Sequence, residues 1–289
     1  MRSMTGYGRR QKACDGREMT VEVKTVNHRF LDMALRLPRH LGFAEEQVKK
    51  QLAASLRRGH ADVFVTYRNA RPDARRVVCD PALAAAYRDA MADLSAATGA
   101  RNEVPLWQYA QLPDVLTVAE NEEDREAVWA LLSDTLAEAL NEVNEMRLRE
   151  GAALKADLTL HLQLLEQLRQ RIALRAPDVV RDYQQRLMQR IAEAGVADLD
   201  PQRVVQEVAI FADRAAIDEE LARLDSHIRQ AYRLMEGEEC GSKLNFLVQE
   251  MNREVNTIGS KALDSDIAKM VVDAKSEIEK LREQIQNVE

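Results

Sequence analysis

Aromatic residues are scarce in this 289-residue chain, at 4%, whereas 31% of its residues are charged. With 46% hydrophobic residues the composition is that of a folded protein, and the aromatic deficit leans it towards helix. Cysteine is equally sparse. Cys14, Cys79 and Cys240 lie far apart and form no C-x-x-C pair, which excludes a disulfide framework and a zinc cluster and leaves three reduced thiols. No apolar run approaches the roughly 20 residues that span a bilayer, and "MRSMTGYGRR" lacks the apolar stretch of a secretion signal. The expectation is a cytoplasmic protein with no membrane partner. Catalytic signatures are missing too: G-x-S-x-G, H-E-x-x-H and the dinucleotide fingerprint do not occur. "GEECGSK" has neither the spacing nor the preceding strand of a nucleotide-binding loop, and reads as a turn between helices.

What is present is unevenly charged. The net charge of −7 divides into +9 over residues 1–76 and −16 over the remainder. A basic end of this kind suits a polyanion partner, with a merely solvated basic surface as the other reading. At roughly 150 residues per domain, the length predicts two domains, or one with a long helical extension.

Along the first hundred residues, "SMTGYGRRQ", "EMTVEVKTVNH" and "FLDMALRLP" alternate at period two and predict strands, with "CDGR" as a turn. "GFAEEQVKKQLAASLRRG" places Phe43, Val48, Leu52 and Leu56 on one helical face and predicts a helix that stops at Gly59. "HADVFVTYRN" and "ARRVVCD" read as further strands. A second helix follows Pro81, with Leu83, Tyr87, Met91 and Leu94 on one face. The order predicts a small sheet covered by helices. "VPLWQYAQLPDVLTVAE" reads as an irregular connection, and beyond about Glu122 only helices are needed, broken near Pro177, at "GVADLDP" and at "EGEECGSK".

The last ninety residues carry the clearest pattern. Ile217, Leu221, Leu224, Ile228, Ala231 and Met235 form a heptad seam. Leu244, Leu247, Met251, Val255 and Ile258 repeat it on a helix expected to end at Gly259. Asp264 then caps a third helix whose seam runs Ile267, Val271, Ala274, Ile278, Leu281, Ile285, Val288. These three helices are expected to pack antiparallel, or to align with copies from other subunits.

Beside that seam, Asp213, Glu220 and His227 are spaced by seven, and Arg214 falls where the seam calls for an apolar residue. Glu250 and Glu254 lie one turn apart on the next helix. If the helices are antiparallel, Asp213, Glu220, His227, Glu250 and Glu254 converge, and carboxylates with one imidazole suit a divalent ion, Mn²⁺ above Ca²⁺. The competing reading is a network of interhelical ion pairs with a hydrogen-bonded structural histidine. Glu219 and Arg223 form a plain helical pair, and Asp218 and Asp225 read as solvated surface.

At the basic end, "KTVNHRF" supplies Lys24, Asn27, His28 and Arg29, "RLP" supplies Arg36, and "LRRGH" supplies Arg57, Arg58 and His60. Such residues neutralise phosphates, and Tyr7, Phe30 and Tyr67 either stack on unpaired bases or pack within the sheet. Arg57 and Arg58 also complement a helix C-terminus.

The strings "RSMTGYGR", "VNHRFLD", "RRG", "FADRAAIDEELARLDSHI", "GSKLNFLVQEMNREVNTIGSKALD" and "EIEKLREQIQNVE" together resemble the YicC/YloC family of bacterial proteins. The resemblance implies a divalent-metal-dependent endoribonuclease, Mn²⁺ first and Mg²⁺ second, assembled as a homohexamer. Its expected partners are RNA and other RNA-decay enzymes. The expected fold class is α+β and mostly helical: an N-terminal α+β domain (1–155, RNA-binding), a helical connector (156–200) and a C-terminal antiparallel helical bundle (201–289, metal and catalysis).

On this reading Asp213, Glu220, His227, Glu250 and Glu254 bind metal, while Glu220, His227, Glu250 and Arg214 act in catalysis. Arg214, Arg253 or Lys261 pairs with the scissile phosphate, and Lys261 joins the RNA-binding set. Three alternatives stay open. His227 deprotonates the ribose 2′-hydroxyl without metal; the chain is a non-catalytic adaptor presenting transcripts to other ribonucleases; or it is a helical scaffold with no RNA role.

Overall fold

The computed structural model describes residues 1–195, 200–237 and 240–289. Strands β1 (Gly6–Cys14) and β2 (Arg17–Val26) form an antiparallel hairpin. Its two-residue turn puts Asp15 and Gly16 at φ of 49° and 70°, the left-handed values for which Asp-Gly is suited. β3 (Leu31–Arg36), a 3₁₀ turn (Arg39–Ala44), α1 (Glu45–Ser55) and β4 (Gly59–Asn69) complete a four-stranded sheet of order β1-β2-β4-β3. β4 is antiparallel to β2 and parallel to β3, so α1 is the crossover that parallel pairing requires.

Alternation decides the two faces. Met19, Val21 and Val23 of β2, with Ala61, Val63 and Val65 of β4, are buried, while their neighbours face outwards. α1 ends at Ser55, four residues before Gly59, because Leu56 turns extended and enters this core.

The excursion from 75 to 120 departs from the sequence reading. β5 (Arg75–Cys79) pairs only with β6 (Leu116–Glu120), in a separate two-stranded ribbon. β6 and the short α3 (Leu106–Tyr109) lie inside the stretch expected to be irregular. β6 was illegible because its partner stands some forty positions earlier. α2 (Pro81–Thr98), expected to cover the sheet, buries none of its side chains.

That cover comes from α4 (Arg125–Glu193), a single helix of 69 residues. Asp124 caps it, accepting from the amides of Glu126 and Ala127. Its first half lays Val128, Leu132, Leu136, Ala139 and Val143 on the sheet, where Gly8 allows the close approach: a Cβ there would lie 2.3 Å from the Ala139 carbonyl oxygen. The break expected near Pro177 is absent. Ile172 and Val179 are both buried in the second core, so packing on either side carries the helix through the proline without a break.

Helices α5 (Pro201–Ala215), α6 (Asp218–Leu234), α7 (Gly241–Lys261) and α8 (Ser265–Ile285) follow. The breaks expected at "GVADLDP" and "EGEECGSK" fall partly on 196–199 and 238–239, outside the described residues. Every seam residue of α6, α7 and α8 is buried, and Leu158, Leu162, Leu165, Leu168 and Ile172 of α4 join them. The expected three-helix bundle therefore has a fourth member, which crosses from the first core into the second. Gly259 does not end α7. It sits within the helix, where an added Cβ would meet Val271 of α8 at 2.9 Å. Asp264 caps α8 as expected, accepting from the amides of Asp266 and Ile267 at 3.0 Å each.

The two lobes are also tied at the chain ends. Ser3 bridges Val288, Met4 donates to Asn287 O, and Glu289 N donates to Arg2 O. Among the described residues no helix is long and apolar enough to cross a membrane.

Candidate metal centre

α6 and α7 run antiparallel, their seams facing, so residues flanking one seam meet those flanking the other. His227 of α6 thereby meets Glu250 and Glu254 of α7, one turn apart on the same face. One ligand atom from each of the three lies within 4.8 Å of the other two.

Glu254 is buried, and His227 and Glu250 are half-buried. The nearest guanidinium nitrogen atoms, from Arg223 to Glu254 and from Arg253 to Glu250, stand at 3.9 Å. His227 Nδ1 is buried with no hydrogen-bond partner among the described residues. An orphaned ring nitrogen beside two loosely compensated carboxylates is costly as it stands. The same donor set fits a divalent cation, which supplies the missing charge and a partner for nitrogen and oxygen alike.

Glu220 is held differently. It is buried near the start of α6, and Lys261 Nζ donates to its Oε1 at 2.7 Å while Oε2 has no partner. Burial pushes its carboxyl up, but the Lys261 hydrogen bond, a backbone amide and the charges of Lys261 and Arg223 together hold it below the ordinary range.

Asp213 and Arg214 are not brought to the triad. α5 ends at Ala215, Ala216 is extended, and the buried seam starts only at Ile217, so both side chains are exposed on another helix. The seven-residue line through 213, 220 and 227 is thus broken after its first member. Arg214 occupies no buried seam position. Asp225 is not plain surface either: half-buried, it pairs with Arg169 of α4 and with Arg229. Glu219 and Arg223 pair as expected.

The basic residues of the first lobe gather near one end of the sheet's open face. Lys24 is exposed on β2, with Asp62 opposite on β4. Arg29 lies 5.2 Å from the Phe30 ring centre and Arg36 4.7 Å from that of Phe64. Asn27 donates to Gln286 O at 2.6 Å, and Arg58 Nε donates to His28 O at 3.1 Å. Arg57 is exposed just after α1, and Lys261 lies apart, at the end of α7, paired with Glu220 of α6. His60 stands between Asp32, 2.7 Å from Nδ1, and Asp62, 3.6 Å from Nε2. The sequence reading passed over both aspartates. Their only signal was the period-two phase they share with His60, which has meaning once the strand pairing is known. Of the aromatics, Tyr7 and Phe30 are exposed, whereas Tyr67 is half-buried and donates to Glu123.

The family models for the N-terminal region and the C-terminal region of the YicC-like endoribonucleases match residues 1–156 and 172–289. The chain belongs to the YicC-like endoribonuclease family. Among its relatives is a protein of Clostridioides difficile (strain 630), named as a probable endoribonuclease YicC. It is 37% identical over 290 aligned positions, covering 99% of both chains. One of the same name from Haemophilus influenzae is 31% identical over 288, again covering 99% of each. Membership spans both lobes, the open-face histidines as well as the triad.

Proposed function

We propose that this protein is an endoribonuclease whose hydrolytic activity depends on a divalent cation, Mn²⁺ in preference to Mg²⁺, held by His227, Glu250 and Glu254. The observation that carries the reading is the convergence of those three side chains, with one imidazole nitrogen of His227 buried and unpartnered among the described residues. The names of the relatives support RNA as the substrate. Preference for Mn²⁺ rests on the imidazole, a poorer donor to the harder Mg²⁺.

When bound, the ion supplies activation of water and neutralisation of charge at a phosphodiester, leaving 5′-phosphate and 3′-hydroxyl ends. The chain's own residues do the rest. Glu250 and Glu254 would hold the ion beside His227, and the Lys261–Glu220 pair places a cation on the same two helices. Lys24, Arg29, Arg36 and Arg58 hold the RNA backbone on the open sheet face, with Phe30 as a stacking surface. The hexameric assembly implied by the family resemblance and a cytoplasmic place of action belong to the same proposal.

End-group chemistry tests it. After exhaustive EDTA treatment, formation of 5′-phosphate ends from a single-stranded RNA should cease and Mn²⁺ should restore it. Glu254→Gln should abolish that activity and weaken Mn²⁺ binding measured by calorimetry. Undiminished 5′-phosphate production by chelated protein, or by the Glu220→Gln and Glu250→Gln variants together, would return the carboxylates to architecture and favour the adaptor reading.

A further inference from the structure

Two histidines stand together at one end of the open sheet face, and their ring nitrogens have different partners. His28 lies in the loop between β2 and β3, and its Nδ1 is 3.1 Å from the carbonyl oxygen of Phe30. A carbonyl only accepts, so Nδ1 carries the hydrogen and neutral His28 keeps its lone pair on Nε2. Arg58 fixes the loop by donating to the His28 carbonyl, and Asn27 fixes it again through Gln286.

His60, near the start of β4, is placed the other way. Its Nδ1 donates to Asp32 at 2.7 Å and its Nε2 stands 3.6 Å from Asp62, so each ring nitrogen has a carboxylate beside it. The His60 hydrogen bond in turn holds the Asp32 carboxyl below its usual range.

The two rings are 6.4 Å apart, centre to centre, and edge-on. A hydrogen bond reaches about 2.6–3.2 Å, so a single phosphoryl group can contact both rings. Lys24, exposed beside them on β2, makes no ion pair among the described residues and is available to its non-bridging oxygens. Phe30, 65% exposed under the Arg29 guanidinium, offers a flanking base a surface to stack on.

We propose that His28 and His60 form a second catalytic centre, one that cleaves RNA by metal-free transphosphorylation. The ribose 2′-oxygen attacks phosphorus as its proton passes to His28 Nε2. The bond from phosphorus to the 5′-oxygen breaks, and that oxygen takes the proton from His60 Nε2. The products are a 2′,3′-cyclic phosphate and a 5′-hydroxyl, with no co-reactant consumed. This goes beyond the metal-dependent reading and does not rest on it, because the two chemistries leave different ends.

The test uses full-length protein, exhaustively chelated, on a DNA oligonucleotide containing one ribonucleotide, with products assigned by mass spectrometry. Cleavage should occur at that ribonucleotide alone and leave the cyclic phosphate. His28→Gln and His60→Gln should each lower the turnover rate by about 100-fold or more, the usual contribution of a general acid or base. Their affinity for an all-2′-deoxy analogue should stay within about threefold and their thermal unfolding should match the wild type. For His28→Gly, added imidazole should restore part of the rate, which a purely structural histidine would not allow. The proposal is overturned if chelated protein cleaves nothing, if its products carry 5′-phosphates, or if the variants lose affinity in proportion to rate. Should only the 5′-phosphate products of the previous section fail to appear, the metal reading falls and this one stands.

Discussion

His227 shows how a residue's role depends on what its neighbours leave undone. Were Nδ1 bonded to a backbone carbonyl, the imidazole would be one more satisfied core histidine; instead that nitrogen is buried without a partner among the described residues, and the ring stands beside two carboxylates whose nearest guanidinium nitrogens are 3.9 Å away. Glu254→Gln is therefore expected to weaken Mn²⁺ binding by at least about 10–100-fold, the range seen when even a supporting group is lost. Calorimetric titration reads it directly. Glu220 makes a different prediction. With its folded pKa depressed, its contribution is complete above the unfolded value of about 4.3 and fades as pH falls through the lower folded value. Lys261→Met removes the group that holds it down and lets burial raise the carboxyl instead. At pH 7 the variant should lose about 1–3 kcal/mol, discounted because Lys261 is 40% exposed. The gap from wild type should narrow on acidification in urea titrations, as the stranded carboxylate protonates.

At the scale of elements, two residues that punctuate most sequences do not punctuate here. Gly259 and Pro177 both lie inside helices, the first because α8 presses against α7, the second because buried neighbours on both sides keep α4 unbroken. Pro177→Ala should restore a helical hydrogen bond and stabilise the protein by about 1–3 kcal/mol, visible as a raised denaturation midpoint. Gly8→Ala should do the reverse. Its methyl group would lie 2.3 Å from a backbone oxygen of α4, so strand and helix must separate, at a cost of about 1–3 kcal/mol or more. The seams of α6, α7 and α8 were legible because a heptad repeats the same instruction many times over. β6 and the end of α5 were not, since five residues or a single break carry too little local signal.

Across the whole molecule, one side chain closes the chain on itself. Arg147, 1% exposed on α4, donates to Ser3 O at 2.7 Å and to Glu289 at 2.8 Å, near where the two lobes meet. Arg147→Leu leaves the half-buried Glu289 carboxylate unpaired and should cost about 2–4 kcal/mol. Hydrogen exchange should quicken together at the start of β1 and the end of α8. The excursion of β5, α2, α3 and β6 instead stands almost unpacked, with Leu106 84% and Val118 68% exposed. The proposed hexamer gives such apolar surface a use, so Leu106→Asp with Val118→Asp is expected to shift light-scattering mass towards smaller species.

By itself the sequence determined the hairpin at Asp15–Gly16, the alternation of β2 and β4, the seams of the last three helices and the cap at Asp264. Each of these is written in residues close along the chain, where backbone preference and side-chain period act locally. Tertiary structure alone decided that α4 serves both cores and that Asp213 parts company with Glu220 and His227. It also decided that Asp32 and Asp62 flank His60. Those outcomes depend on which distant elements share a face, and that choice is made by the burial of whole surfaces rather than by the spacing of any one motif.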